Sequence, residues 1–174
     1  MGNLTELTAF KEELLRLIVS DEMLIRAVAH PTIDCLSIPV ERPGLLLYQN
    51  IFPFRWTLDE TQTDKSTFVT MDFSNFGLVH GYYKDFSMAL YVLTHKDLAR
   101  IRDVNNTKNI LRVDFILERI DTLLNNARGF GIGKLTFGGL GSVHVNDKIL
   151  GSYIMYHTVS FNDTIKPNEG FDNV

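Results

Sequence analysis

Between Lys84 and Thr94 the chain alternates two apolar faces. Phe86, Met88, Leu90 and Val92 fall on one side of an extended segment, and Ser87, Ala89, Tyr91 and Leu93 on the other. A strand with one wet side would place polar residues at every second position. A strand that is largely apolar on both sides belongs inside a sheet and needs cover from above and below. The rest of the chain must therefore supply flanking strands and material to lie across them.

The flanking pattern fits that demand. Phe68, Val69 and Met71 lie in a β-rich stretch that begins at Ser66, and Asn75-Phe76-Gly77 carries turn chemistry ahead of the central strand. Beyond it, residues 134–137 read as a strand, with Val143 and Val145 continuing across the Gly138-Gly139-Leu140-Gly141 bend. Residues 150–161 close the set, with Tyr153, Met155, His157, Val159 and Phe161 on one face. A short strand is also expected at 45–48.

Helical spacing marks the covering layer. Leu7, Phe10, Leu14, Leu17 and Ile18 recur on one side of residues 5–19, and Glu6, Lys11, Glu12, Glu13 and Arg16 mostly take the other. Ser20-Asp21-Glu22 breaks and recaps the chain for a short helix at 23–29, which Pro31 closes. Residues 96–102 read as a short helix or turn. Thr107 is placed to cap a long helix to about Asn126, with Ile110, Val113, Ile116, Leu117, Ile120, Leu123 and Leu124 as its apolar stripe. Helices, strands, a helix and strands again predict an α+β fold. It has a mainly antiparallel sheet, a long helix packed on one face and an N-terminal helix pair. We expect one domain over residues 1–163, with a long loop or arm at about 49–65, and a flexible C-terminal tail at 164–174.

Composition excludes several classes. With 17 Lys+Arg against 21 Asp+Glu, the net charge of −4 argues against a protein built to grip phosphate backbones. The single cysteine, Cys35, rules out an intrachain disulfide and a multi-cysteine metal site. No run of about 18 apolar residues exists to span a bilayer. Charges at Glu6, Lys11, Glu12 and Glu13 break up the start before an apolar leader develops, so we expect a soluble intracellular domain that binds no membrane.

Several constellations invite a chemical reading. Gly129-x-Gly131-x-Gly133-Lys134 resembles a phosphate loop only in composition. A helix precedes it and a strand follows, the reverse of the required order, and Leu135 stands where a magnesium-binding Ser or Thr would be. A helix stop explains these glycines better. His30, His80, His95, His144 and His157 lack the three- or four-residue spacing of a helical metal pair. His157, mid-strand on an apolar face, reads as a core histidine, and His95 as a cap for the following turn. Cys35 with His30 or His95 could form a nucleophile and base. The Ile33-Asp34-Cys35-Leu36 context instead favours a buried small hydrophobe. Residues 84–112 carry a local charge of +3, without interleaved exposed aromatics. Asp59 and Glu60 read as part of a solvated polar run. These readings leave no catalytic residue, cofactor or metal site, and the expectation is a protein that is not an enzyme.

The segment with the most leverage is Ile51-Phe52-Pro53-Phe54-Arg55-Trp56. Neither the helical nor the strand period holds across it, and its large side chains must be buried either on this chain or on another. Ile51, Phe52, Phe54, Arg55 and Trp56 are therefore candidate subunit or partner contacts. The alternative is that they cover the chain's own core. Arg112 and Asp114, two residues apart and so on different sides of a helix, join them as a candidate for a salt bridge to a neighbouring subunit; two solvated charges is the alternative.

The order of elements resembles that of the tail-terminator and tail-completion (neck) proteins of long-tailed bacteriophages. Residues 84–95 resemble their central strand ending near a histidine, and residues 110–120, with Arg112-Val113-Asp114, their helix beneath the sheet. Residues 133–137 and 153–163 are similar to their closing strands. The proline-broken stretch 39–56 has no counterpart there. The resemblance implies a non-enzymatic virion protein assembled in the host cytoplasm. It would form a homo-oligomeric ring, usually a hexameric ring, that terminates the tail tube and meets the head-tail connector. DNA would pass through without specific binding, which a net negative chain suits. Another head-tail joining or tail-sheath adaptor component is the near alternative. A small metal-dependent enzyme using His95, His157 and the loop at 129–133 is the alternative of another class.

Overall fold

Helical spacing at the start of the chain becomes two helices, α1 (Leu4–Ser20) and α2 (Glu22–Ala29). The computed structural model describes residues 4–56, 64–79, 83–105, 107–125 and 134–159. Phe10, Leu14 and Ile18 of α1 are buried, as are Leu24, Ile25, Ala27 and Val28 of α2. The break between them is Asp21, in extended backbone, whose carboxylate accepts the Leu24 N–H at 2.9 Å. That satisfies one of the donors a helix start leaves free. Arg119 donates to the same carboxylate at 2.5 and 3.0 Å, tying a later helix to this cap.

The strands are β1 (Ile51–Phe52), β2 (Thr67–Val79), β3 (Tyr83–His95), β4 (Arg100–Arg102), β5 (Asn109–Leu111), β6 (Lys134–Asn146) and β7 (Ile149–Val159). The third helix, α3, spans Arg112–Leu124. One sheet runs in the order β1-β2-β3-β7-β6, so the doubly apolar strand lies at its centre; β4 and β5 form a separate ribbon. Every pairing is antiparallel except β1 with β2. This is the α+β architecture that the element order predicts.

Register explains the core. Val69, Met71, Met88, Leu90, Val92, Ile154 and Tyr156 are all buried on the face that receives the helices. Ile116, Ile120 and Leu124 of α3, with Phe10 and Ile18 of α1, complete the same cluster. Among the described residues the opposite face is covered at one end, where Phe52, Phe68, Leu93 and Ile149 form a second buried cluster with Trp56, Val143 and Val145 packed on it. Elsewhere on that face Ala89 and Tyr91 are half-buried.

Several local expectations are corrected. Residues 75–77 do not form a turn: β2 runs through them with a register shift between Ser74 and Gly77, and pairing continues to Val79 opposite Tyr83. Residues 134–146 form one strand, with the glycines absorbed as an irregularity between Phe137 and Gly139. At 45–48 there is no strand but a 3-10 turn at Pro43–Leu46, then Tyr48 at φ 62°. The expected loop at 49–65 contributes β1, bonded through the Val69 N–H to the Asn50 carbonyl.

The long helix begins later than its apolar stripe suggests. Residues 109–111 pair with β4, and the Arg112 N–H donates to the Ala99 carbonyl at 2.8 Å, so the backbone before Arg112 is already committed to the ribbon. Thr107 caps no helix; its N–H and hydroxyl both donate to Asp103, at 2.7 and 2.8 Å. Asn126, Phe161, the polar run at 57–63, the glycine loop at 129–133 and the tail at 164–174 lie outside the described residues.

Candidate functional site

The aromatic segment divides. β1 lays Ile51 and Phe52 against β2, where they are 0% and 7% exposed. Phe52 stacks on Trp56 with ring centroids 4.6 Å apart, and Trp56 meets Phe68 at 4.9 Å. Trp56 is half-buried by this packing, whereas Phe54 is 47% exposed. Arg55 is exposed, 3.5 Å from Asp72 and 5.9 Å from the Tyr91 ring centroid. Tyr91 in turn faces Tyr153 at 5.6 Å, and Tyr153 lies so close over Gly141 that a Cβ there would sit 2.6 Å from its ring. The segment thus covers its own sheet with Ile51, Phe52 and part of Trp56, and leaves Phe54 and Arg55 outside.

Arg112 is not available to a neighbouring subunit. Its side chain is fully buried and donates to four backbone carbonyls, those of Leu98, Ala27, His30 and Thr32, at 2.8, 2.5, 2.9 and 2.7 Å. No carboxylate pairs with it in that network, and burial draws its pKa below the usual arginine value. The guanidinium gathers the end of α2, the following loop and the turn at Lys96–Leu98 onto the start of α3. The signal available in the sequence was an arginine bordering an apolar stripe, which also describes a surface residue. Three of its four carbonyl partners lie 80 or more residues away, beyond any local pattern. Asp114, on the other side of the helix, is exposed.

Among the described residues the histidines do not converge, and His80 lies outside them. His95 is 4% exposed, and its Nδ1 accepts the Asp97 N–H at 3.2 Å, the turn-capping role its position suggests. His157 is exposed on the open face of the sheet, so it is not a core histidine. It pairs with Ser87, eight residues along β3 from His95, which separates the two by about 26 Å. They cannot share one metal ion. Among the described residues no group of three or more His, Cys, Asp or Glu could hold one. Cys35 is buried, and burial pushes its thiol pKa up, against the partial opposition of Arg112. The basic stretch is dispersed too: Arg112 is buried and Arg102 pairs with Asp34 at 2.9 Å.

The surface that sequence reading missed lies along β6. This strand is one edge of the sheet, and α3 stops short of covering it. Between them runs an open groove of about 240 Å³, with Leu117 and Ile154 among its lining. Asp114, Glu118 and Asp121 border it from α3, and Phe137 and Leu140 from β6. Phe137 is 44% exposed and Leu140 63%. A second cavity of about 120 Å³ continues past Asp114 to Leu111 and Leu150, themselves 52% and 46% exposed. Asp121 accepts the Tyr156 hydroxyl at 2.8 Å, and burial, reinforced by this bond, raises the tyrosine pKa well above its ordinary value. The groove is apolar along its floor and strand wall and anionic along its helix wall. It suits docking of an apolar, cationic surface. Leu140 lay among glycines in the sequence, where the pattern read as a bend.

No helix among the described residues is long and apolar enough to cross a membrane. A family model described as YomW matches residues 21–158. No curated protein and no solved structure matches the chain.

Proposed function

The chain belongs to the YomW family, a phage-derived family of the SPbeta-like prophage type, and from that premise we propose that it is a structural component of a phage particle. Its place is the neck or tail. There, identical subunits form a ring that terminates the tail tube and joins it to the head connector. The observation that carries this reading is the β6 edge, where exposed large apolar side chains stand beside strand backbone that no strand pairs among the described residues. Such an edge is a liability for a chain that works alone and a ready contact for one that assembles. The net charge of −4 supports a lumen that DNA traverses without being held, because few cations are offered to its phosphates.

The test is made on particles of the phage that encodes the chain. We expect the protein in purified particles by mass spectrometry and antibody labelling at the junction of head and tail. We also expect deletion to leave heads and tails unjoined. Absence of the protein from purified particles, with normal joining in the deletion, would overturn the proposal.

A further inference from the structure

Both edges of the sheet end in backbone that no strand pairs among the described residues. β6 pairs with β7 alone. At the opposite edge, β1 covers β2 only at Val69 and Thr70, so from Met71 onward β2 is paired on its β3 side alone. Each free row of N–H and C=O groups is a template for another strand.

The two rows differ in their chemistry. Beside β6 stand Asp114, Glu118 and Asp121 with exposed Phe137 and Leu140. Beside β2, Phe73 packs edge-on against Phe10 at 6.0 Å, and the Lys11 ammonium lies 4.7 Å over the Phe73 ring. One edge is apolar with a carboxylate border, the other aromatic with a cation over it. Pairing β6 with β6 of a second copy would set the same carboxylates against each other, which costs rather than stabilises.

We infer that the β6 edge of one copy docks on the β2 edge of a second copy, carrying the five-stranded sheet from subunit to subunit, with the carboxylates of α3 facing Lys11. The inference rests on the self-assembly in the reading above and names the strands that meet. Two different edges meet, so the contact is heterologous and repeats around a ring when the rotation between subunits closes.

The test uses the full chain and analytical ultracentrifugation. Leu140→Lys places a charge on the exposed side of β6 and blocks that edge alone. Lys11→Glu turns the cation at the β2 edge into a repelling anion and blocks the other. The wild type is expected to sediment as a multi-subunit species and each variant as a monomer. An equimolar mixture is expected to give a one-to-one dimer, because each variant keeps the edge that the other lacks. Circular dichroism checks folding, and Glu118→Lys replaces Leu140→Lys if that variant does not fold. A monomeric wild type, variants that assemble like the wild type, a mixture that stays monomeric, or a Lys11→Glu copy that dimerises by itself would each overturn the inference. A dimerising mixture from a chain absent from phage particles defeats the neck reading and leaves this inference standing. A chain found at the neck whose mixed variants stay monomeric does the reverse.

Discussion

At the β1–β2 edge of the sheet the chain folds its own aromatic residues back over the strands, and at the β6 edge it leaves large side chains bare. Phe52 is 7% exposed beneath Trp56, whereas Leu140 is 63% exposed with no comparable cover. The difference comes from the connections. A proline-broken segment leads into and out of β1, and its Phe52 and Trp56 cover the Phe68 end of β2. Among the described residues β6 has the tight turn to β7 beside it, and Asp114, Leu117, Glu118 and Asp121 are the α3 residues that border its groove. Hydrophobicity alone therefore does not mark a surface for assembly; what matters is whether the chain has a second segment within reach to cover it.

Four substitutions sharpen that contrast. The largest effect is expected at the covered edge: Phe52→Ala should cost about 3–5 kcal/mol in denaturant unfolding, through lost burial and the cavity left beside Trp56 and Phe68. A loss below about 1 kcal/mol would mean that the Phe68 end of this edge is not covered by the chain itself. Arg112→Met should cost about 3 kcal/mol, because four backbone carbonyls, two of them in buried bonds, lose their donor. By loosening the start of α3 it should also weaken assembly through Asp114 and Glu118, read as a lower sedimentation coefficient.

Tyr156→Phe, beneath the bare edge, should cost about 1 kcal/mol for the lost bond to Asp121. Its pH dependence has a definite sign. The folded-state pKa of Tyr156 is raised by burial and then by Asp121, so the protonated hydroxyl is the form that the fold holds. Its contribution is complete below the unfolded value of about 10 and is lost as pH rises beyond it. The stability gap between wild type and Tyr156→Phe should therefore narrow above about pH 10; a gap constant with pH would contradict the burial. The smallest effect is expected at Leu140→Ser, within about 0.5 kcal/mol in stability, since the side chain is already in water. Its signature should be weakened self-association instead.

Much of the fold was legible because it follows from local periodicity. The central strand, the helix pair with its Asp21 cap and the α+β class all follow from alternation of two or from helical spacing. The site was less legible. Ile51 and Phe52 proved to be the chain's own cover, Phe54 and Arg55 stayed outside, and Arg112 turned inward. From the sequence all of them were candidate subunit or partner contacts, with cover of the chain's own core as the alternative for the aromatic segment and solvation as the alternative for Arg112. His157 shows the same limit, since an apolar-looking row of β7 faces away from the helices.

Taken by itself, the sequence determined where backbone extends or coils and which residues must leave water, because steric preference and side-chain spacing act over a few neighbouring residues. Which apolar residues the chain covers and which it leaves exposed was decided by contacts such as Phe52 on Phe68 and Arg112 on the Ala27 carbonyl, 85 residues distant. Those contacts form only when the whole sheet and its helices close around them. The free energy of burial depends on the surface removed from water in the assembled structure and not on the order of residues along the chain.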